Sequence, residues 1–296
     1  MKSVSLLFRL LRVNQWTKNG VVFAAFFFAL GDLNQNLSLH LFWKVALAAL
    51  AFALVSSGVY ILNDLRDAPR DRLHPGKRHR PIASGEVRPP AALAISALVL
   101  SAGLWGSWQI APRLFAVTAT YFVMQLAYTF GLKKVSLLDV MIIAAGFVLR
   151  AIAGAEAIAV PISPWLLVCT FFLALFLALC KRRHEKISLA GLGTRASLDA
   201  YDEKLLDILV AVTAGATIVV YSIYTLWPDT VAKFGTNRLA ATIPFVVFGI
   251  FRYLDLAYRH DRGERPERVL LTDLPLLADV ALFGATVLAA LFLFRR

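Results

Sequence analysis

The residues of this chain best suited to chemistry begin at Asn63-Asp64-Leu65-Arg66-Asp67-Ala68-Pro69-Arg70-Asp71. Carboxylates at i, i+3 and i+7 share one face of a helix, where they repel one another unless a positive charge sits among them. A hard divalent cation, Mg²⁺ above all, relieves that repulsion. It is usually held by one or two protein carboxylates together with substrate phosphates. The stretch that follows, His74-Pro75-Gly76-Lys77-Arg78-His79-Arg80-Pro81-Ile82-Ala83-Ser84-Gly85, adds Lys77, Arg78 and Arg80, which are suited to phosphate oxygens. Acids for a metal followed by cations for phosphate are what a diphosphate requires. A plainer alternative is a solvated loop in which Asp64, Asp67 and Asp71 pair with Arg66, Arg70 and Arg72. Because Pro69 is costly inside a helix, a short second helix is expected to start near Asp67, with Pro69 in its first turn.

A second polar cluster opens with Lys181-Arg182-Arg183-His184-Glu185 and closes with Asp199-Ala200-Tyr201-Asp202-Glu203-Lys204-Leu205-Leu206-Asp207. It reads either as a second half of the site or as an amphipathic interfacial segment. Arg150 lies inside an apolar stretch, where a charge is either functional or paired.

The elements that position these residues are membrane helices. The chain has 296 residues, 59% of them hydrophobic and 17% charged, and a formal net charge of +12. Soluble domains are nearer 45–50% apolar, so a soluble nucleic-acid-binding scaffold is excluded and no nucleic-acid partner is expected. A span needs about 20 mostly apolar residues. Nine stretches qualify: 17–33, 41–62, 90–109, 113–131, 136–159, 163–180, 204–226, 240–258 and 273–294, the first being the shortest in its apolar part. Residues 1–16, with Val4, Leu7, Phe8 and Leu11 at helical spacing, form an amphipathic segment on the membrane surface. A signal peptide fits poorly, because no small-residue cleavage site precedes Gly31-Asp32-Leu33-Asn34. Lys and Arg favour the cytoplasmic side. With nine spans, 24 of the 31 fall on the side that holds the N-terminus and the loops 63–89 and 181–203. These loops, four helices apart, suggest a two-fold pseudo-repeat converging over one cavity. Cys169 and Cys180 share an apolar run and read as small core residues.

The sequence resembles the UbiA superfamily of intramembrane prenyltransferases. Its N-D-x-x-D-x-x-x-D signature is matched by Asn63, Asp64, Asp67 and Asp71, and its R-P-x-x-S/A-G tail by Arg80, Pro81, Ser84 and Gly85. The chain is most similar to the branch that transfers phosphoribosyl groups. That likeness is carried by Gln15-Trp16-Thr17-Lys18-Asn19, Tyr60-Ile61-Leu62-Asn63-Asp64, His74 to Ala83, Gln125-Leu126-Ala127-Tyr128, Leu149-Arg150-Ala151-Ile152-Ala153-Gly154, Lys181-Arg182 and Arg252-Tyr253. It departs from the prenyl-diphosphate branch in lacking a second D-x-x-x-D. Asp199 with Glu203, or Glu203 with Asp207, comes nearest, and the roles of Asp202 and Asp207 stay open.

The resemblance implies an all-α polytopic fold, nine transmembrane helices around a central cavity with cytoplasmic cap loops, over a single domain, 1–296, in a bacterial inner membrane. It implies phosphoribosyl diphosphate as donor, a polyprenyl phosphate of decaprenyl type as acceptor, and Mg²⁺ as cofactor. Asn63, Asp64, Asp67 and Asp71 would hold the metal, with the three aspartates catalytic. Lys77, Arg78 and Arg80 would clamp the donor, and Lys18, Lys181 and Arg182 the acceptor phosphate. Arg150, Tyr201 and Asp202 are further substrate-binding candidates. A homo-oligomer is compatible with the sequence. The competing functions are prenyl transfer to an aromatic or related acceptor, and membrane transport.

Overall fold

The computed structural model describes residues 2–32, 39–188, 201–259, 269 and 272–293. Among these, eleven α-helices and three 3₁₀ segments account for the regular structure, with no strand. The helices are α1 (Lys2–Leu10), α2 (Ala24–Leu30), α3 (Leu39–Asp71), α4 (Pro89–Ile110), α5 (Pro112–Phe130), α6 (Leu138–Ile158), α7 (Pro164–Ser188), α8 (Glu203–Leu226), α9 (Pro228–Phe234), α10 (Ile243–Arg259) and α11 (Leu274–Phe292). Proline in the first turn starts α4, α5, α9 and α11, where its missing N–H has no intrahelical partner to lose. Asp202 and Asp273 cap α8 and α11, accepting from the backbone N–H of Leu205 and Leu276.

Seven stretches are long and apolar enough to cross a membrane: α3, α4, α6, α7, α8, α11 and the continuous run Arg238–Arg259 that ends in α10. Two of the nine expected spans fall outside that set. The first is built from a 3₁₀ segment, Val13–Phe23, followed by the seven-residue α2. Polar Asn14, Gln15, Thr17, Lys18 and Asn19 dilute its apolar content. The other, α5, carries Arg113, Gln125, two tyrosines and three threonines among its 19 residues.

The expected break before Pro69 is absent. α3 runs unbroken for 33 residues with Pro69 inside it. At 1.5 Å per residue that is roughly 50 Å, against about 30 Å of hydrocarbon, so the helix outlasts its apolar part and carries Asn63 to Asp71 on its last turns. Pro69 has no N–H to give to Leu65 C=O, and α3 nevertheless continues to Asp71, closing through Arg72 N–H to Ala68 C=O (3.2 Å) and Leu73 N–H to Arg70 C=O (3.1 Å). The acids therefore stand on a helix, and the loop begins at Arg72. In the same way α7 extends past residue 180 and takes Lys181 to Ser188 into helix. Asp199, within residues 189–200, and the basic loop after α10, residues 260–268, lie outside the described residues.

The chain forms two compact units. The first comprises Met1–Phe26, Ser38–Ile142 and Leu149–Pro161, with α3 packed most extensively on α4. The second comprises Phe27–Leu37, Ile143–Val148 and Ile162–Arg296, with α7 packed on α8. In the first unit, α1 turns Leu10 into a core with Ile61, Ile82 and Val87, joined by Leu6 and Leu11. Val4, Leu7 and Phe8 point outward.

A candidate diphosphate site at the end of α3

In the first unit Asp64 and Asp71, each 5% exposed, face a common cation. Arg80 Nη1 donates to Asp64 Oδ1 at 2.9 Å and to Asp71 Oδ2 at 2.7 Å. Arg12 completes the set, its Nε donating to Asp64 Oδ2 at 3.1 Å and its Nη2 to Oδ1. Asp67 belongs to a neighbouring group. Lys133 Nζ reaches its two oxygens at 2.6 and 2.8 Å and Asn63 Oδ1 at 3.0 Å, while Asn63 Nδ2 donates to Asp67 Oδ2 at 3.0 Å. Arg66, Arg70 and Arg72 are not the partners. Arg66 stacks on the Phe130 ring at 4.8 Å, Arg70 is exposed, and Arg72 Nε donates to Ala83 C=O at 3.2 Å.

That last bond helps shape the basic loop. Val87 N–H closes onto Pro81 C=O at 2.9 Å, and Gly85 sits at φ 82°, a left-handed conformation that favours glycine. From α1, Arg9 grips the Glu86 carboxylate at 2.9 Å and the His79 carbonyl. Arg9, with Ser84, holds the Glu86 carboxyl below the usual carboxylate range by hydrogen bonding to its charged form. Of the three loop cations, Arg80 turns into the acids, Lys77 is half-buried, and Arg78 stays exposed with its Nε on His79 Nε2 at 3.2 Å.

The 3₁₀ segment that carries Lys18 is tied down along its length. Trp16 Nε1 donates to Ser57 Oγ at 3.0 Å, and Ser57 Oγ donates to Leu11 C=O at 2.8 Å. Buried Arg150 donates from Nε to Asn19 Oδ1 at 2.9 Å and from Nη2 to the Tyr121 hydroxyl at 3.2 Å. It is sandwiched against the Phe52 and Tyr121 rings, both at 4.9 Å. One turn along α6, Gly154 lies against Val22 C=O, so closely that a Cβ there would come within 1.9 Å of the oxygen. Asn19 and Val22 fall on one 3₁₀ face, Arg150 and Gly154 on one α face. Arg150 therefore acts as a fastener for the segment bearing Lys18.

In the second unit the expected substrate residues are engaged internally. Buried Arg182 pairs with Glu185, and Tyr201 is buried. Asp202 gives Oδ2 to the α8 cap. Asp207 accepts from Arg183 Nε and, at 2.8 Å, from the Tyr258 hydroxyl, with Arg183 stacked 3.7 Å over the Tyr258 ring. Arg252 joins Asp273 at 2.8 and 3.1 Å and Asp255 at 3.1 Å, fastening α10 to the start of α11.

Among the described residues no group of three or more His, Cys, Asp or Glu side chains is gathered for a metal ion. The donor set nevertheless fits Mg²⁺. Two carboxylates aim at one position now held by a guanidinium nitrogen, and oxygen ligands from one or two carboxylates, with substrate phosphate completing the shell, suit this ion. Arg12 and Lys133 lie outside the acidic signature and the basic run that follows it. No local spacing singles them out, since their partners lie 52 and 66 residues away.

A model of the UbiA prenyltransferase family matches residues 20–276. The chain belongs to that family. Among UbiA relatives it is 35% identical over 284 residues to the decaprenyl-phosphate phosphoribosyltransferase of Mycobacterium tuberculosis, covering 94% of this chain and 92% of that protein. It is 36% identical over 298 residues to the enzyme of the same name from Mycolicibacterium smegmatis, covering 96% and 93%. The fold is also that of a UbiA homolog from Archaeoglobus fulgidus bound to GPP and Mg²⁺. That structure superposes with a TM-score of 0.73 at 20% identity, over 97% of this chain and 99% of the other. The UbiA family and these relatives are transferases.

Proposed function

We propose that the protein transfers a 5-phosphoribosyl group from phosphoribosyl diphosphate to a polyprenyl phosphate of decaprenyl type and releases diphosphate. The observation that carries the leaving group is the convergence of Asp64 and Asp71 on one cationic position beside the basic loop. The end-to-end likeness to the decaprenyl-phosphate phosphoribosyltransferases selects the donor and acceptor.

In this reading Asp64 and Asp71, with Asp67 and Asn63 beside them, hold Mg²⁺, which when bound neutralises the leaving diphosphate. Lys77, Arg78 and Arg80 hold phosphate oxygens of the donor. Lys18, on the segment that Arg150 fastens, serves the acceptor phosphate; in the second unit Lys181 and Arg182 are phosphate-binding groups, and Tyr201 and Asp202 bind substrate. The acceptor is already anionic and needs no strong general base. The work of the chain is orientation and stabilisation of departing charge as positive charge develops at the ribose C1. Nine crossings, with the N-terminus, the acids and the basic loop on the cytoplasmic side of a bacterial inner membrane, bring the water-soluble donor to the site. The acceptor chain stays in the bilayer, and the whole chain, 1–296, acts as one domain.

The test is a proteoliposome assay with labelled phosphoribosyl diphosphate and decaprenyl phosphate, with Mg²⁺ present or chelated. A lipid-linked product is expected, lost on chelation and lost in Asp64→Ala and Asp67→Ala while membrane insertion persists. No such product from well-folded protein, or preferential use of a prenyl diphosphate with an aromatic acceptor, overturns the reading.

A further inference from the structure

The Asp64/Asp71 cluster is electrically balanced by side chains of the protein itself. Its two carboxylates are matched by two guanidinium groups. Arg12 occupies both Asp64 oxygens, and Arg80 bridges Asp64 to Asp71. A divalent cation arriving alone would add two positive charges to a neutral set and would have to displace hydrogen bonds from carboxylates that are almost fully buried. A diphosphate arriving alone would meet guanidinium donors already committed to carboxylates, with those carboxylates repelling it. When both arrive, each takes the partner that the other releases. The carboxylates pass to the metal, the guanidinium groups pass to phosphate oxygens, and the charge stays close to balance.

We propose that Arg12 and Arg80 form an exchange set that makes metal binding and diphosphate binding mutually dependent, with Arg12 a diphosphate ligand delivered by the N-terminal segment. The inference rests on the leaving-group reading above. The backbone around Arg12 is built for such a role. Arg12 stands where α1 gives way to the 3₁₀ segment, in a left-handed conformation (φ 52°, ψ 47°) that a non-glycine residue adopts at some cost. The chain is pinned on both sides, by Ser57 on Leu11 C=O and by Arg9 on Glu86. The side chain of Arg12 is 21% exposed and that of Arg80 27%, against 6% and 7% for the two aspartates. The cations are thus the more exposed partners in the pair and the acids the more buried ones. Carboxylates that stayed paired to these arginines would have no use for a metal, and a metal that came without phosphate would leave two guanidinium groups facing it.

Mn²⁺ as a stand-in for Mg²⁺ and inorganic pyrophosphate as the anion test the idea on the full detergent-solubilised protein. Equilibrium dialysis of Mn²⁺ is run with and without pyrophosphate, and a protein-free arm corrects for the complex formed in solution. Couplings between sites are commonly about 5–150-fold. Here pyrophosphate is expected to tighten Mn²⁺ about tenfold or more, and Mn²⁺ to tighten pyrophosphate by the same factor. In Arg12→Gln, Asp64 is relieved of a competitor. Mn²⁺ alone should then bind several-fold more tightly than to the parent protein, and pyrophosphate should add no more than about twofold. Arg12→Lys, which keeps the charge without the two-point grip, should fall between and guards against a folding defect in the glutamine variant. Independent binding of the two ligands to the parent protein refutes the exchange and leaves the leaving-group reading intact, as does full coupling retained in Arg12→Gln. Binding of neither ligand overturns both.

Discussion

Replacing Gly154 with alanine tests whether the N-terminal segment is held where the site needs it. A Cβ at this position would meet Val22 C=O at 1.9 Å, and carbon atoms of this kind do not approach oxygen more closely than 3.0 Å. α6 and the 3₁₀ segment would have to part by about 1.1 Å. The same movement stretches the Arg150–Asn19 bond from 2.9 Å to roughly 4 Å, beyond hydrogen-bonding range. Overpacking of a filled core costs about 1–3 kcal/mol, and a hydrogen bond to a charged group contributes about 1.5–3 kcal/mol. The expected loss is therefore about 2.5–6 kcal/mol, moderated by whatever repacking the segment achieves. Thermal unfolding in detergent should show a large drop in midpoint, and the transfer assay a loss in which weakened substrate binding is prominent, since Lys18 and Arg12 ride on the displaced segment. The matched control is Gly215→Ala in α8, where a Cβ meets nothing within 4 Å. It should be neutral or slightly stabilising, by up to about 1 kcal/mol from helix propensity. A Gly154→Ala protein with unchanged midpoint and activity, or a Gly215→Ala protein equally damaged, would refute the reasoning.

Two further outcomes follow from named contacts. Lys133→Met removes the ammonium that bonds Asp67 and Asn63 from a side chain only 10% exposed. It should cost about 1–3 kcal/mol in thermal unfolding, largely because Asp67 is left unpaired. Combining it with Asp67→Asn should recover part of the loss, and equal damage in the single and double variants would contradict the pairing. The Arg9 hydrogen bonds lower the Glu86 carboxyl pKa in the folded protein, so their contribution is present at neutral pH and disappears as the pH falls through that depressed value. Isotope-edited NMR of labelled Glu86 should give a midpoint below the ordinary value of about 4.3, rising in Arg9→Gln; an unshifted midpoint in the parent protein would rule out the contact.

The acids were legible in the sequence because their spacing is local. The i, i+3, i+7 register is a property of one helix, and α3 displays it on its final turns. Their partners were not legible. Arg66 stands one or two residues from Asp67 and Asp64, and residues so spaced on a helix face different directions, while Arg72 lies past the end of α3. Arg66 accordingly turns to Phe130 and Arg72 to Ala83, and the acids are served by Arg12, Arg80 and Lys133. Only Arg80 carries a nearby signal, the Pro81 and Gly85 punctuation of its loop. Pro69 misled for a related reason. The penalty for proline is one lost hydrogen bond and a ring crowded against the carbonyl four residues earlier, and local sequence does not reveal that a helix packed as extensively as α3 is on α4 continues through it.

Charge in this chain serves more than one end, and composition cannot separate them. Some cations, such as Arg150 on Asn19, fasten one segment to another; others, such as Arg12 and Arg80, pair with buried acids. The rule that a charge inside a membrane span marks a functional site is met by Arg150 in an indirect way. Its guanidinium binds Asn19 and Tyr121 and lies against two aromatic faces, and through Asn19 it fastens the segment that carries Lys18. Arg12 is the opposite case. It is counted with the topology charges, yet its side chain sits on the most buried carboxylates of the site. A positive charge paired to a buried acid in the absence of ligand is not thereby structural. On the proposed exchange, a site that admits a divalent cation together with a polyanion keeps a partner for each of them within this one pair.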